Sequence, residues 1–273
     1  MKNYYSRYTK AFISVAALVV LLGVGKFTGC TDEKHIPDTD TSGIELSEVD
    51  SGSIISDNTA VSSSSVSVSD NGNTLSYNGI AIPGFTGSPS VEINGNKPFF
   101  TDEELSETAA YENYSELDSL GRCGTATALI DKSLMPTEPR GEIGMIKPTG
   151  WHTVKYVNVD GHYLYNRCHL IAYELTGENA NEKNLITGTR YLNIEGMLPY
   201  ENKVADYIRT TGNQVLYRVT PVFEGNELVA RGVVMEGQSI GNDDISFCIF
   251  CYNVQPDVTI DYSTGESEGE IYE

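Results

Sequence analysis

Apolar and polar positions change rhythm several times along the chain, and each rhythm predicts a different element. The first run, AFISVAALVVLLGVG from Ala11 to Gly25, is unbroken. At fifteen residues it is short for a membrane span and suits the apolar stretch of an export signal. From residue 31 to 74 no periodicity is sustained. A segment such as SSSSVSVSDNGN cannot bury enough apolar surface to offset its ordering entropy, so residues 31–74 read as a disordered polar linker. Short extended stretches follow in LSYNGIAIPGF and SVEINGN. TDEELSETAAYENYSEL then opens with an N-cap candidate, Thr101, and acids in the first turn, which predicts helix for part of it.

The second half carries stronger patterns. QVLYRVTPVF and LVARGVVME flank EGNE and read as a β-hairpin, and FCIFCYNV reads as a further strand. YVNVDGHYLYNRCHL alternates as a strand does before entering LIAYELTG, a short helical pattern closed by Gly177. Strands and helices without βαβ alternation predict an α+β fold, an antiparallel sheet with flanking helices. One domain over residues 75–262 is the economical reading, with residues 263–273 as a disordered acidic tail.

Charge changes the picture in one respect. The chain of 273 residues holds 18 basic and 38 acidic side chains, a formal −20, which excludes nonspecific coating of nucleic acid by a basic surface. Much of the excess sits outside the patterned body: residues 31–75 carry nine acids against one lysine, and residues 257–273 carry six acids and no base. At the N-terminus Lys2, Arg7 and Lys10 precede the apolar run. The closing FTGC resembles a bacterial lipobox, which implies that residues 1–30 end in a lipidated Cys30. An uncleaved signal anchor and simple secretion are the alternatives. Each places the body outside the cytoplasmic membrane.

The chemistry concentrates in YNRCHLIAYELTGENANEKNLITGTRYLN, residues 165–193. His169 falls at a predicted strand end, where a scaffold can hold a group rigidly. Neutral imidazole can take a proton from water, Asn193 offers a hard oxygen of the kind Mg²⁺ accepts, and Arg167 can grip a phosphate through paired donors. Each has a plainer reading: a core histidine, turn or cap asparagines, and a solvated helix glutamate at Glu201. Pro199 puts Asn193 and Glu201 either on a kinked helix or across a helix start. His152, His162, Cys168 and His169 lie close in sequence without the tight spacing of a structural zinc site. Cys248 and Cys251 are three apart on a strand, so they point to opposite faces and do not bridge each other. Partners for Cys123, Cys168, Cys248 and Cys251 stay open, buried free thiols included.

Together these residues resemble the DNA/RNA non-specific endonucleases of the ββα-metal (His-Me finger) superfamily, especially the DNA-entry nuclease and streptodornase branch. The family signature Asp/Asn-Arg-Gly-His stands here as Asn166-Arg167-Cys168-His169, with Cys168 in the glycine's place. NLITGTRYLN and GMLPYENKVADYI are similar to the segment carrying the family's metal asparagine, with Asn184 nine before Asn193 and Glu201 eight after it. LDSLGRCGTATALI, MPTEPRG and PTGW are also similar to this branch, and the likeness spans roughly residues 77–262.

The resemblance implies a ββα-metal motif and a nuclease acting on DNA, possibly RNA, with Mg²⁺, or Mn²⁺ in its place. It implies His169 as general base, Asn193 as direct metal ligand and Glu201 ordering water around the cation. Asn184 would position either the His169 region or the scissile phosphate. Arg140 is a second phosphate candidate beside Arg167, and Arg140, Lys147, Lys155 and Arg167 lie along the relevant stretch. No protein partner is evident. The rival from another class is a surface nucleic-acid-binding or adhesion module on a degenerate nuclease fold.

Overall fold

Long apolar strands in an antiparallel sheet need cover on both faces, and the chain supplies it from two directions. The structure, a computed structural model, describes residues 75–273. The expected export signal, Cys30 and the linker 31–74 lie outside the described residues.

A small antiparallel pair, β1 (Ser76–Tyr77) and β2 (Ile80–Ala81), comes first, then β3 (Ser90–Glu92). Helix α1 (Asp102–Ser106) starts where expected. The Thr101 hydroxyl accepts from the Glu104 amide at 3.2 Å, and the Glu104 carboxylate accepts from the Thr101 amide at 2.8 Å. It buries no residue and stays short, and the rest of that stretch becomes an edge strand, β4 (Tyr111–Tyr114), beside β5 (Ala126–Ile130). Next come β6 (Tyr165–His169), α2 (Tyr173–Thr176), β7 (Leu185–Thr189) and α3 (Leu198–Thr211). Gly177 closes α2 in the left-handed region at φ 70°. The expected hairpin is β8 (Val215–Val222) with β9 (Gly232–Ser239), followed by β10 (Ser246–Tyr252).

The main sheet has six antiparallel strands in the order β3-β10-β9-β8-β5-β4, and β6 and β7 form a separate antiparallel pair. The fold is thus mixed α+β with few helices. Alternation along β8, β9 and β10 sends side chains to two cores. Tyr217, Val219, Met235, Phe247 and Cys251 face the larger one, with the β6–β7 pair and α3. Val222, Val234, Cys248, Phe250 and Tyr252 face the smaller one, covered by the segment from Leu75 to Phe99. Cys248 and Cys251 therefore lie on opposite faces, as their spacing requires. Cys123, Cys168, Cys248 and Cys251, whose partners the sequence left open, are all buried free thiols.

One expectation is overturned. Residues 263–273 are built into the fold rather than forming a disordered tail. Ser267–Glu268 forms β12, paired with β11 (Thr259–Ile260), and Ile271 bridges to Tyr156. The Tyr272 ring stacks on His162 at 3.6 Å. Gly265 makes the approach possible: a Cβ there would lie 1.9 Å from the Gly150 carbonyl oxygen. The acidic side chains stay in water while the backbone docks, and composition does not register backbone docking.

On the smaller core's side, Glu236 is fully buried. Its carboxylate accepts from Arg218 Nε at 2.9 Å and Nη2 at 3.2 Å, from the Tyr77 hydroxyl at 3.2 Å and from the Phe99 amide at 2.6 Å. Arg218 also reaches Glu104 at 2.8 Å, so one ion cluster pins both the N-terminal segment and α1 to the sheet. Removing one partner strands a buried charge. Glu236→Ala is expected to lower the unfolding free energy by about 3–5 kcal/mol, measured by chemical denaturation.

Candidate active site

The β6–β7 pair and the helix after it form one unit, seated on the sheet by buried amides. Asn253, just past β10, is fully buried. Its Oδ1 accepts from the Thr189 amide at 2.8 Å, while Nδ2 donates to the carbonyls of Thr187 at 3.0 Å and Ala230 at 2.9 Å. The Thr189 hydroxyl donates to the Val254 carbonyl at 2.7 Å and accepts from the Leu192 amide at 2.9 Å. The chain thus leaves β7 directly into a π-helical turn, Leu192–Met197, that runs on into α3, with Pro199 just past the junction. Asn193 lies on the π turn and Glu201 on the first turns of α3, so the helix reading of this stretch holds with a π turn in place of a kink.

A cleft of about 770 Å³ opens along this unit, and Arg140, Arg167, His169, Asn193 and Glu201 all line it. His169 ends β6 and is 6% exposed. Its Nε2 lies 2.8 Å from the Asn179 carbonyl oxygen, which can only accept, so Nε2 carries the proton and Nδ1 keeps its lone pair. Arg140 Nη2 sits 3.2 Å from that Nδ1. Burial, with the Arg140 charge in the same direction, pushes the imidazole down to about 4, against the pull of the Asn179 carbonyl. The ring is neutral at physiological pH.

Glu201 is 7% exposed, and burial reinforced by the Glu174 charge pushes its carboxyl up to about 8, with Arg140 opposing. Asn193 Oδ1 accepts a hydrogen bond from the Cys168 thiol at 3.1 Å. Cys168 fits the strand without distortion, paired with Ile186, and burial keeps its thiol protonated.

Other expected residues sit differently. Arg167 lines the cleft, but Nε donates to the Ile146 carbonyl and Nη2 to the Gly144 carbonyl at 2.8 Å, with the guanidinium 4.1 Å over the Trp151 ring. The paired edge expected to grip phosphate is spent on tying down the 144–146 loop. Asn184 is fully buried and does not line the cleft. Its Oδ1 accepts from the Ile171 amide at 2.9 Å and its Nδ2 donates to the Ile171 carbonyl at 3.0 Å, a clamp on the exit from β6 two residues beyond His169. That geometry suits positioning the His169 segment and not contact with a phosphate. Lys155 lies 4.7 Å over the Tyr163 ring at the cleft edge, and Lys147 lines a different, smaller cavity.

Sequence reasoning missed Arg190, which lines the cleft three residues before Asn193 and holds Asp160 at 2.8 Å. It also missed Asn179, whose carbonyl sets the imidazole tautomer; the only signal was its place in the loop between the two strands.

The oxygen donors suit a hard cation. Asn193 offers an amide oxygen with a second lone pair, and Glu201 adds a buried carboxyl group to the same cleft. Mg²⁺ takes few protein ligands of this kind and keeps its waters. Among the described residues no three His, Cys, Asp or Glu side chains gather around a point, and His152 and His162 are engaged elsewhere.

A family model described as DNA/RNA non-specific endonuclease matches residues 103–241. The crystal structure of NucA from Streptococcus agalactiae with magnesium ion bound is 26% identical, with a TM-score of 0.60 over 74% of this chain and 91% of that one. The same nuclease with no metal bound is 27% identical, with a TM-score of 0.59 over 66% and 86%. A chain described as an extracellular endonuclease shares the fold at 21% identity, with a TM-score of 0.50 over 68% of this chain and all of that one.

The imidazole environment has a direct readout. Titrated by NMR, His169 is expected to protonate near pH 4, below the usual histidine range. Arg140→Met removes a like charge and therefore raises that midpoint, while the larger effect of burial keeps it below the ordinary value of about 6.5. A midpoint near 6.5 in the unaltered protein contradicts this account of the ring.

Proposed function

The chain belongs to the DNA/RNA non-specific endonuclease family, and we propose that it hydrolyses phosphodiester bonds of nucleic acid, DNA first, in the cleft beside His169. The β6–β7 pair with the following helix is read as the ββα-metal motif of that superfamily. The observation that carries the proposal is the imidazole: a neutral ring whose lone pair, at Nδ1, shares a cleft with Asn193, Glu201 and Arg140.

In this reading His169 Nδ1 takes the proton of the attacking water, and the Asn179 carbonyl holds the ring's other nitrogen as a donor, so orientation and tautomer are set before substrate arrives. The Arg140 guanidinium, now beside Nδ1, turns to a non-bridging phosphate oxygen, where its charge matters most as the transition state forms. Arg167 keeps the 144–146 loop and Trp151 in place along the cleft, which leaves its Nη1 donors for a phosphate oxygen. Asn193 would hold Mg²⁺ or Mn²⁺ directly, with Glu201 balancing its charge; when bound, the cation supplies neutralisation of the phosphate and leaving oxygen. The Asn184 clamp keeps the end of β6 from shifting.

The enzyme is placed outside the cytoplasmic membrane. This rests on the N-terminal signal pattern, with lipidated Cys30 as the anchor and an uncleaved signal segment as the alternative.

The test is chemical rescue. Loss of a general base costs roughly 10²–10⁴-fold in rate, and His169→Gly is expected to lose activity in that range and to recover part of it with added imidazole. Asn193→Ala is expected to lose comparable activity without response to imidazole, because the lost function is placement of the cation. Cleavage at the unaltered rate by His169→Gly without imidazole sinks the mechanism.

A further inference from the structure

Asn193 needs its side chain aimed, and the π turn alone does not aim it. The turn fixes the backbone, with the Leu198 amide donating to the Asn193 carbonyl, but leaves the side-chain torsions free. The amide oxygen takes its aim from one neighbour, the Cys168 thiol 3.1 Å away.

That thiol is held from every side. Cys168 is 1% exposed one residue before the end of β6, and its Sγ lies 3.5 Å from Met197 Sδ at the end of the same π turn. Across the pair, Gly188 leaves it room, since a Cβ on Gly188 would lie 2.7 Å from Cys168 Cβ. Gly196 lets the π turn settle on the sheet, where an added Cβ would stand 3.3 Å from Cys251 Cβ. The partner strand and the π turn thus pack against one sulfur atom, and that sulfur touches the candidate ligand. The residue beside it in sequence is His169, so a single strand carries both the base and the group that orients the ligand. A glycine at 168, the residue of the family signature, offers Asn193 no such contact.

We propose that Cys168 is a positioning residue in this chain: its S–H donates to Asn193 Oδ1 and fixes the amide so that the remaining lone pair faces the cation. This rests on the reading of Asn193 as the ligand.

The experiment measures Mn²⁺ binding to the full chain without substrate, by the paramagnetic resonance signal of free Mn²⁺, for the unaltered protein and for Cys168→Ala, Cys168→Ser and Asn193→Ala. Partners that orient a metal ligand are worth about 10–100-fold in affinity, and the weak thiol donor belongs at the lower end. Cys168→Ala is expected to bind Mn²⁺ about tenfold more weakly, while Cys168→Ser, which keeps a donor, recovers most of the loss. Melting in EDTA reports packing separately. If Cys168→Ala does not fold, Cys168→Val fills the space without a donor and takes its place.

Unchanged Mn²⁺ affinity in the donor-free variant overturns the proposal, and so does equal weakening by the alanine and serine variants, which marks a packing role only. Should Asn193→Ala itself bind Mn²⁺ normally, the ligand reading has failed; should it lose binding while Cys168→Ala keeps it, only the positioning role has failed.

Discussion

The site depends on one buried amide. Asn253 fills three of its four hydrogen-bonding positions with backbone groups from β7 and from the segment before β9, and so fastens the β6–β7 pair to the end of the main sheet. A fully buried amide left unpaired is costly, so the pair cannot drift without breaking several bonds together. His169 ends one strand of that pair, and Asn193 follows the other by one turn. Their separation is therefore set by strand register and by the Thr189–Leu192 bond at the start of the π turn, not by flexible loops.

Burial does most of the electrostatic tuning. It takes the imidazole of His169 down into its neutral form and lifts the carboxyl of Glu201, two opposite shifts from one cause, because in each case the charged form is the one that loses water. Arg140 acts on both in the direction expected of a positive charge. The protein's −20 is compatible with an anionic substrate because the potential that matters is local: Arg140, Arg167 and Arg190 line the cleft, while acids crowd the C-terminal segment.

What could be read in the sequence was what short-range rules govern. The Thr101 cap, the Gly177 stop, the β8–β9 pair and the opposite faces of Cys248 and Cys251 follow from periodicity and turn chemistry. The candidate site residues His169, Asn193 and Glu201 were legible too, through the resemblance of their motifs to a known family. Partners were not. Arg167 reads as a phosphate grip until the carbonyls of Gly144 and Ile146 claim its paired edge, and Asn184 reads either as a phosphate contact or as a prop for the His169 segment until its burial against Ile171 favours the prop. The C-terminal segment, polar enough to read as disordered, docks through backbone bonds and a glycine contact that side-chain composition does not encode. Arg190 went unseen because a basic residue between a strand and a helix carries no signal of which way it faces.

The central claim is that a divalent cation and this cleft together cut nucleic acid. The most direct measurement follows supercoiled plasmid incubated with the full chain and Mg²⁺, with EDTA, and with Mg²⁺ restored after EDTA. The account predicts nicked and then fragmented DNA with Mg²⁺, none with EDTA, and recovery when the cation returns. Intact plasmid under all three conditions, or cleavage that persists in EDTA, contradicts it.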